Sequence, residues 1–448
     1  MAKKISIFEC QHCGEQQQKW LGRCPSCNSW DSFIELTNEQ LESLRKVARA
    51  SSKKSKATSI TKIEQDNITR FSTSNEEFDL VIGGGVVPGS LTLIGGSPGV
   101  GKSTLLLKIG GNLAKSGKKV LYISGEESAG QIKMRASRLK ANEDNLFLLS
   151  EISLEAIHDE LTRQDYEIAI IDSIQTIYSD KLTSSPGSVS QVREITFELM
   201  RKAKESRIAI FIIGHITKDG TIAGPRVLEH MVDTVLYFEG ESSKELRMLR
   251  GFKNRFGSTS EIGIFEMTQN GLESAKDINR KFFTNKNSQS GSCLTVAIEG
   301  SRALILEIQA LVSQSNNPNP KRSATGFDTN RLNMLLALLE KKLDLPLNQY
   351  DVFINISGGM KVKESSCDLA VIAAIISSFR NRPISKESVF IGEVSLTGEI
   401  KDVSGIETRL KETLSQGIKK AIISQKPKSI IDIKIFEVDE VSKMIELF

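Results

Sequence analysis

Short apolar runs alternate with longer amphipathic stretches through the first part of the chain. The runs are five to seven residues long, and the stretches between them carry apolar residues at helical spacing. Buried strands separated by helices of about ten to twenty residues form parallel, doubly wound sheets. The runs that predict such strands are 91–95, 119–124, 166–172, 208–214 and 232–238.

The pattern changes after residue 275, where the polar stretch 276–291 marks a boundary. Beyond it, strands and helices no longer alternate one for one. Strands are predicted at 294–298, 303–312 and 352–356, and helices at 332–343 and 368–378. This mixture indicates a separate α+β domain at the carboxyl end.

The composition is that of a soluble globular protein. Of the 448 residues, 39% are hydrophobic and 25% are charged, and the net charge is only +4. A chain of this length divides into several domains. No apolar run could span a bilayer, and the first ten residues lack the apolar core of a cleavable signal. We therefore expect a cytoplasmic protein without a membrane contact.

The first apolar run leads directly into a phosphate-binding loop. Residues 96–103 read GSPGVGKS and match G-x-x-x-x-G-K-[ST] at every fixed position, between a predicted strand and a leucine-rich helix. Glycines let backbone N–H groups turn toward phosphate, and the helix N-terminus adds positive charge. Lys102 is expected to reach the β- and γ-phosphates of ATP, and Ser103 to hold Mg²⁺. The predicted nucleotide-binding residues are Gly96, Ser97, Pro98, Gly99, Val100, Gly101, Lys102, Ser103 and Thr104.

Acidic residues stand at the ends of the next two predicted strands. Asp172 closes the run 166–172, where P-loop NTPases carry their second acidic signature, and is expected to bind Mg²⁺ directly or through water. Glu126 and Glu127 follow the run 119–124. Ligands bind at the carboxyl ends of strands in open α/β sheets. All three carboxylates are therefore predicted to lie beside the phosphates.

Four of the six cysteines fall within eighteen residues, as two C-x-x-C pairs separated by ten residues. Two such pairs can form a closed, structural Zn–S₄ site. The alternative is a pair of disulfides or a redox motif. A cytoplasmic chain keeps its thiols reduced, and no thioredoxin-like pattern surrounds the cysteines, which favours zinc. The predicted ligands are Cys10, Cys13, Cys24 and Cys27.

Two further stretches carry clustered positive charge. Residues 43–63 contain seven Lys or Arg and no acid, which predicts a tethering linker that could also follow a nucleic-acid backbone. Lys253 and Arg255 stand two apart on or just after a strand, so both project to one face. Cations placed in this way suit contact with a γ-phosphate across a subunit interface, and equally contact with a DNA backbone.

Several of these motifs together are similar to those of the bacterial RadA (Sms) family of DNA-recombination proteins. They are the lead-in FDLVIGGGVVPGS at 78–90, the P-loop, W-x-G-x-C-P-x-C at 20–27 and above all KNRFG at 253–257. The resemblance covers essentially the whole chain. It implies a RecA-like P-loop ATPase core with a doubly wound, mainly parallel sheet, a small N-terminal zinc ribbon, and a C-terminal α+β Lon protease-like domain whose fold a ribosomal-protein superfamily shares. The expected boundaries are 1–36 for the zinc module, 37–60 for a basic linker, 61–275 for the ATPase, 276–291 for a second linker and 292–448 for the Lon-like domain.

The resemblance also implies roles for single residues. Glu126 occupies the position of the carboxylate that activates the attacking water, although Glu127 beside it leaves the choice open. His215 stands where the family senses the γ-phosphate; a satisfied surface histidine is the alternative. The segment 217–226 corresponds to a DNA-binding loop. The candidate DNA contacts are Lys218, Arg226, Lys253 and Arg255.

In the Lon-like domain, Ser366 falls roughly at the protease's nucleophile position. Lon requires a lysine as the base of this serine, and it is expected within 405–410. Glu407 stands in that stretch, and a glutamate cannot act as the neutral amine that deprotonates a serine. We therefore expect no peptidase activity. A platform for oligomerisation and DNA binding is expected instead, with Lys361, Lys363 and Arg409 as candidate phosphate contacts.

Together these features predict a DNA-dependent ATPase in recombinational DNA repair that binds single-stranded DNA and drives branch migration, extending recombination intermediates. The resemblance implies a homo-hexameric ring, the RecA recombinase as a partner, and ATP, Mg²⁺ and Zn²⁺ as ligands. A circadian-clock-type ATPase or kinase, which shares the glycine lead-in and the RecA-like core, is one alternative. A Lon-class ATP-dependent protease is the other, and the missing lysine disfavours it.

Overall fold

The computed structural model describes residues 8–10, 15–25, 30–35, 59, 61, 69–215, 227–240, 246–275, 288–357, 360–428 and 432–447. The chain forms two compact units, Met1–Ser274 and Ala275–Phe448. Within the described ranges, no helix has both the length and the apolar character that crossing a membrane requires.

A small antiparallel sheet opens the first unit. Its strands are β1 (Phe8–Cys10), β2 (Gln16–Gln17) and β3 (Phe33–Glu35), in the order β2-β1-β3. Cys10, Cys24 and Phe33 are buried together at its centre. So few apolar side chains cannot by themselves stabilise a module of this size, which points to a further staple.

The predicted doubly wound, mainly parallel sheet is confirmed, and it has nine strands in the order β12-β11-β10-β9-β4-β8-β7-β5-β6. All five predicted runs form strands within it. The parallel strands are β4 (Leu91–Gly96), β5 (Val120–Ser124), β6 (Leu146–Leu149), β7 (Ile168–Asp172), β8 (Ala209–His215) and β9 (Thr234–Glu239). An antiparallel extension follows, with β10 (Leu246–Asn254), β11 (Ile262–Thr268) and β12 (Gly271–Ser274).

Helices cover both faces of this sheet because successive strand residues point to opposite sides. Val120 and Tyr122 of β5 pack on the side of the P-loop helix, whereas Leu121 and Ile123 pack on the other side. The helices of this unit are α1 (Glu76–Ile82), α2 (Lys102–Lys115), α3 (Ala129–Arg138), α4 (Leu154–Arg163), α5 (Val189–Ser206) and α6 (Val227–Met231).

The register of the parallel strands brings their carboxyl ends to one edge of the sheet. Gly96 at the end of β4 pairs with His215 at the end of β8, and Ser124 at the end of β5 pairs with Asp172 at the end of β7. This edge is where ligands bind in open parallel sheets.

The second unit is α+β. Its seven-stranded mixed sheet has the order β15-β16-β14-β13-β17-β20-β21, and β18 and β19 form a separate pair. The strands are β13 (Ser292–Glu299), β14 (Arg302–Gln314), β15 (Arg322–Thr325), β16 (Tyr350–Ile356), β17 (Ser388–Phe390), β18 (Glu393–Val394), β19 (Ile400–Lys401), β20 (Lys420–Ile423) and β21 (Lys434–Glu437). The helices are α7 (Thr329–Leu343), α8 (Asp368–Arg380) and α9 (Ile406–Ser415).

Candidate active site

The P-loop connects β4 to α2 and has the backbone that phosphate binding requires. Gly99 and Gly101 have φ angles of +77° and +111°, which favour glycine. Gly101 is the N-cap of α2, and no side chain caps the helix there. The first N–H groups of α2 are therefore directed at the loop, with the positive end of the helix dipole behind them.

Lys102 lies beneath this loop and is only 4% exposed. Its Nζ donates to the carbonyl oxygens of Gly96 at 2.6 Å and Ser97 at 3.1 Å. Burial lowers the pKa of the Lys102 ammonium to about 8, although the charges of Asp172 and Glu126 act to raise it. The ammonium is thus held by two carbonyls at the loop and influenced by both predicted catalytic carboxylates.

Asp172 lies at the end of β7 and is 5% exposed. Tyr122 Oη donates to Asp172 Oδ2 at 2.5 Å. Burial raises the pKa of the Asp172 carboxyl, and the hydroxyl groups of Tyr122 and Ser103 oppose that rise. Ser103, the other predicted Mg²⁺ ligand, is therefore near enough to influence the Asp172 carboxyl, and Tyr122 is a partner that the sequence analysis did not identify.

The two adjacent glutamates have different surroundings. Glu126 accepts a hydrogen bond from the Ser173 hydroxyl, and its charge acts on both Lys102 and Asp172. Glu127 instead forms an ion pair with Arg135 of α3. Glu126 is therefore the glutamate whose charge reaches the P-loop lysine.

Arg247 of β10 is a second residue that the sequence analysis missed. It is 3% exposed, and its Nε donates to the carbonyl oxygen of Val100 at 3.2 Å. Burial lowers the pKa of its guanidinium. β10, in the antiparallel extension of the sheet, thus contacts the backbone of the P-loop.

The KNRFG motif begins with the last two residues of β10 and packs against the glycine lead-in. Asn254 Nδ2 donates to the carbonyl of Val81 at 3.2 Å, and its Oδ1 accepts from the Phe256 N–H at 2.9 Å. A Cβ at Gly257 would lie 2.8 Å from the Cα of Gly83. The glycine lead-in and the KNRFG motif are therefore parts of one contact.

The two cations of this motif contact the last turn of α6 and the two residues that follow it. Lys253 Nζ donates to the carbonyls of Glu229 at 2.8 Å, His230 at 3.1 Å and Val232 at 2.8 Å. Arg255 Nη1 lies 3.4 Å from Asp233 Oδ1, and its side chain is 59% exposed. Lys253 is thus engaged within the chain, whereas Arg255 extends into solvent.

Several predicted site residues lie wholly or partly outside the described residues. His215 closes β8 opposite Gly96, but its side chain is outside them. The predicted DNA contacts Lys218 and Arg226 are outside, and so is most of the basic linker.

The cysteine module is described in part. Cys10 and Cys24 are fully buried, and Cys10 Sγ lies 3.2 Å from Ser32 Oγ. Cys13 and Cys27 lie outside the described residues. In the part of the chain that the structure describes, no group of three or more His, Cys, Asp or Glu is placed to hold a metal. The described pair is compatible with a thiolate site, since Cys10 and Cys24 are buried in the same cluster.

The second unit corrects the expectation for Arg409 and shows what surrounds Ser366. Arg409 is not available as a phosphate contact, because it is 1% exposed and its Nη1 and Nη2 donate to the Glu364 carboxylate at 2.8 and 2.7 Å. Arg409 Nη1 also donates to Ser366 Oγ at 3.1 Å. Arg409 lies one helical turn from the N-terminus of α9, and its side chain contacts the serine. The presence of Glu407 where a lysine was expected is therefore not the whole reason why the serine lacks a base. Lys361 and Lys363 are exposed and remain candidates.

Three family models match the chain. A rubredoxin metal binding domain model matches residues 8–35, an AAA domain model matches 57–221, and a model named subunit ChlI of Mg-chelatase matches 327–427. Together with the P-loop site, these matches define the class of protein: a P-loop ATPase with a RecA-like core, an N-terminal zinc ribbon and a Lon-like C-terminal domain.

The relatives narrow this class to one family. The chain is 63% identical over 446 residues to the DNA repair protein RadA of Campylobacter jejuni, and 58% identical over 446 residues to that of Helicobacter pylori, covering 100% of each chain. It is 48% identical over 450 residues to RadA of Bacillus subtilis, covering 98% of both. A crystal structure of the RadB recombinase aligns with 46% of this chain and 99% of its own, at 21% identity and a TM-score of 0.36, and the assignment does not depend on it. The chain belongs to the RadA family of DNA repair proteins.

Proposed function

We propose that this chain is a DNA-stimulated ATPase that binds single-stranded DNA and uses hydrolysis of ATP to ADP and phosphate to drive branch migration and extend recombination intermediates. One observation carries the ATPase part: Lys102, Ser103, Asp172 and Glu126 converge at one edge of the parallel sheet. The family supports the assignment to DNA, since its members are named DNA repair proteins.

The residues at this edge of the sheet have separate roles in phosphoryl transfer. Ser103 and Asp172 present the hydroxyl and carboxylate oxygens that Mg²⁺ prefers, and the Ser103 hydroxyl is near enough to lower the pKa of the Asp172 carboxyl. Mg²⁺ held there would offset negative charge on the phosphates. Lys102 stabilises the charge that develops on the γ-phosphate, and Glu126 orients the attacking water and accepts its proton.

Completion of the site by a neighbouring subunit fits a homo-hexameric ring. The exposed Arg255 is the better candidate for reaching a neighbour's γ-phosphate, because among the described residues its guanidinium has a single long contact, with Asp233. Lys253, held by three carbonyls, then positions the motif from within the chain. Contact with the DNA backbone remains the alternative role for both.

The other predicted residues complete the proposal. Lys218 and Arg226 contact DNA phosphates from the loop 217–226, and His215 at the end of β8 senses the γ-phosphate. Cys10, Cys13, Cys24 and Cys27 hold a structural Zn²⁺, in keeping with the metal-binding model that spans 8–35. We place the protein in the cytoplasm, with the RecA recombinase as its partner, and the domain boundaries given above belong to the same proposal.

Peptidase activity is no part of this function. Ser366 is 3% exposed, and its hydroxyl oxygen accepts a hydrogen bond from the guanidinium of Arg409, which is itself paired with Glu364. A guanidinium stays protonated in proteins and cannot accept the serine proton. The Lon-like domain therefore acts as a platform for assembly and DNA binding.

Phosphate release with and without single-stranded DNA tests this function. We expect stimulation by DNA in the wild type and no turnover in Lys102→Ala. Turnover that DNA does not change would favour the circadian-clock-type alternative. Casein cleavage that disappears in Ser366→Ala would favour the protease alternative.

A further inference from the structure

Tyr122 has its hydroxyl group in the interior of the protein, against the predicted metal ligand. It lies in the middle of β5 and is 1% exposed. Its backbone pairs with Ile170, two residues before Asp172 on β7. Residues two apart on a strand share a face, so the Tyr122 ring and the Asp172 carboxylate lie on the same side of the sheet.

A phenylalanine would satisfy the packing at this position. The Tyr122 ring lies in the apolar cluster between the sheet and α2, which includes Leu107 and Ile170. Burying a hydroxyl in such surroundings costs free energy unless it has a hydrogen-bond partner. Here the partner is Asp172 Oδ2 at 2.5 Å, within the short range of O–H···O⁻ bonds.

The hydrogen bond on the Asp172 carboxylate comes from a neighbouring strand of the sheet. Tyr122 donates it from the middle of β5. A hydrogen bond to one carboxylate oxygen restricts the rotation of the carboxylate. Because the Ser103 hydroxyl is itself a predicted Mg²⁺ ligand, the Tyr122 bond is the contact that orients Asp172 independently of that hydroxyl.

We infer that Tyr122 is a positioning residue that holds the Asp172 carboxylate in the orientation that receives the Mg²⁺ of the bound nucleotide. The inference rests on the proposed function, because it takes Asp172 as the acidic partner of that ion. Residues that orient a metal ligand typically account for about 10-fold to 100-fold in metal affinity or activity.

Tyr122→Phe removes the hydroxyl and keeps the ring. The chain offers a matched control in Tyr166→Phe, since Tyr166 is also buried and donates its hydroxyl to a carboxylate, Glu160 Oε1, at 2.8 Å. Binding of a fluorescent, non-hydrolysable ATP analogue to the full chain is measured while Mg²⁺ is titrated. We expect the half-saturating Mg²⁺ concentration to rise about ten-fold in Tyr122→Phe and to stay unchanged in Tyr166→Phe.

A second readout separates positioning from a general loss of structure. In EDTA, analogue binding by Tyr122→Phe should match that of the wild type, because Lys102 and the P-loop backbone are intact. In the Asp172→Asn background, adding Tyr122→Phe should cause no further change, since the two groups act as one unit. A stability defect would lower binding in EDTA and in both backgrounds.

The outcomes distinguish this inference from the proposed function. Unchanged ATP turnover in Lys102→Ala would overturn the function itself. If Lys102→Ala is inactive while Tyr122→Phe needs no more Mg²⁺ than Tyr166→Phe, the positioning role alone is wrong. Equal loss of binding in EDTA and in Mg²⁺ would also overturn it.

Discussion

Nη1 of Arg409 donates to Oγ of Ser366 at 3.1 Å, in the interior of the Lon-like domain. The same guanidinium forms a two-pronged ion pair with Glu364, whose carboxylate also accepts the N–H of Ile298 at 2.8 Å. This cluster joins α9, β13 and the segment before α8. Ser366, at the position of a protease nucleophile, thus contacts a structural ion pair in this chain.

Removing the arginine should destabilise this domain strongly. Arg409→Ala leaves a partly buried carboxylate without its partner, which costs about 3 kcal/mol. Hydrogen exchange of the peptides covering α9 and β13 in the full chain measures the loss. Lys411→Ala, an exposed position on the same helix, is the control and should change nothing. Equal protection in Arg409→Ala and Lys411→Ala would contradict the structural role.

The same pair predicts sensitivity to acid. Burial acts to raise the pKa of Glu364, but hydrogen bonds from Arg409 and Ser366 outweigh it, and the pKa lies below its ordinary value of 4.5. A carboxyl whose pKa is lower in the folded state contributes its full stability above pH 4.5 and loses it as the pH falls further. Urea unfolding of this domain, followed by hydrogen exchange from pH 7 to pH 3, should show this loss. In Glu364→Gln the protein should be less stable at pH 7, with a smaller further loss in acid; an unchanged acid slope would refute the assignment.

Mixing of subunits tests whether Arg255 acts on a neighbour's nucleotide. Lys102→Ala and Arg255→Ala should each lower ATP turnover by at least about 100-fold, because an arginine finger is worth that much or more. Mixed rings contain interfaces at which an intact P-loop meets an intact Arg255, so activity should return in part. If no activity returns although the variants co-assemble, Arg255 does not act across the interface, and loss of DNA binding would then favour its other role.

Zinc content tests the cysteine module. The full chain should contain one zinc ion, and Cys10→Ser or Cys24→Ser should release it, since a closed site needs all four thiolates. Cys293→Ser and Cys367→Ser are the controls: both residues are buried in the second unit and should leave the zinc content unchanged. A fully loaded Cys24→Ser protein would rule out the four-cysteine site.

The sequence predicted the features that depend on local patterns. The P-loop, Asp172 at the end of its strand and five of the six parallel strands follow from short motifs and apolar runs. Tyr122 and Arg247 were not identified, and Arg409 was given the wrong role, because their roles depend on partners 50, 147 and 43 residues away. Such pairings are set by the register of the sheet and by helix placement. Tyr122 alone gave a weak signal, since it is a polar group inside an otherwise apolar run.

The carbonyls that bind Lys253 were hidden from sequence reasoning for the same reason. The spacing of the two cations indicated a shared direction, and both do contact the segment 229–233. Only the fold shows that Lys253 is held by three carbonyls while Arg255 extends into solvent. This difference is what makes Arg255 the better candidate for contact with another molecule.

ATP turnover by the full chain, with and without single-stranded DNA, tests the central claim most directly. Glu126→Gln and Glu127→Gln are compared with the wild type, because the structure gives these two adjacent glutamates different partners. We predict stimulation by DNA in the wild type, a loss of at least about 100-fold in Glu126→Gln, and turnover in Glu127→Gln much closer to that of the wild type. Turnover that is indifferent to DNA, or a Glu126→Gln protein as active as the wild type, would contradict the account.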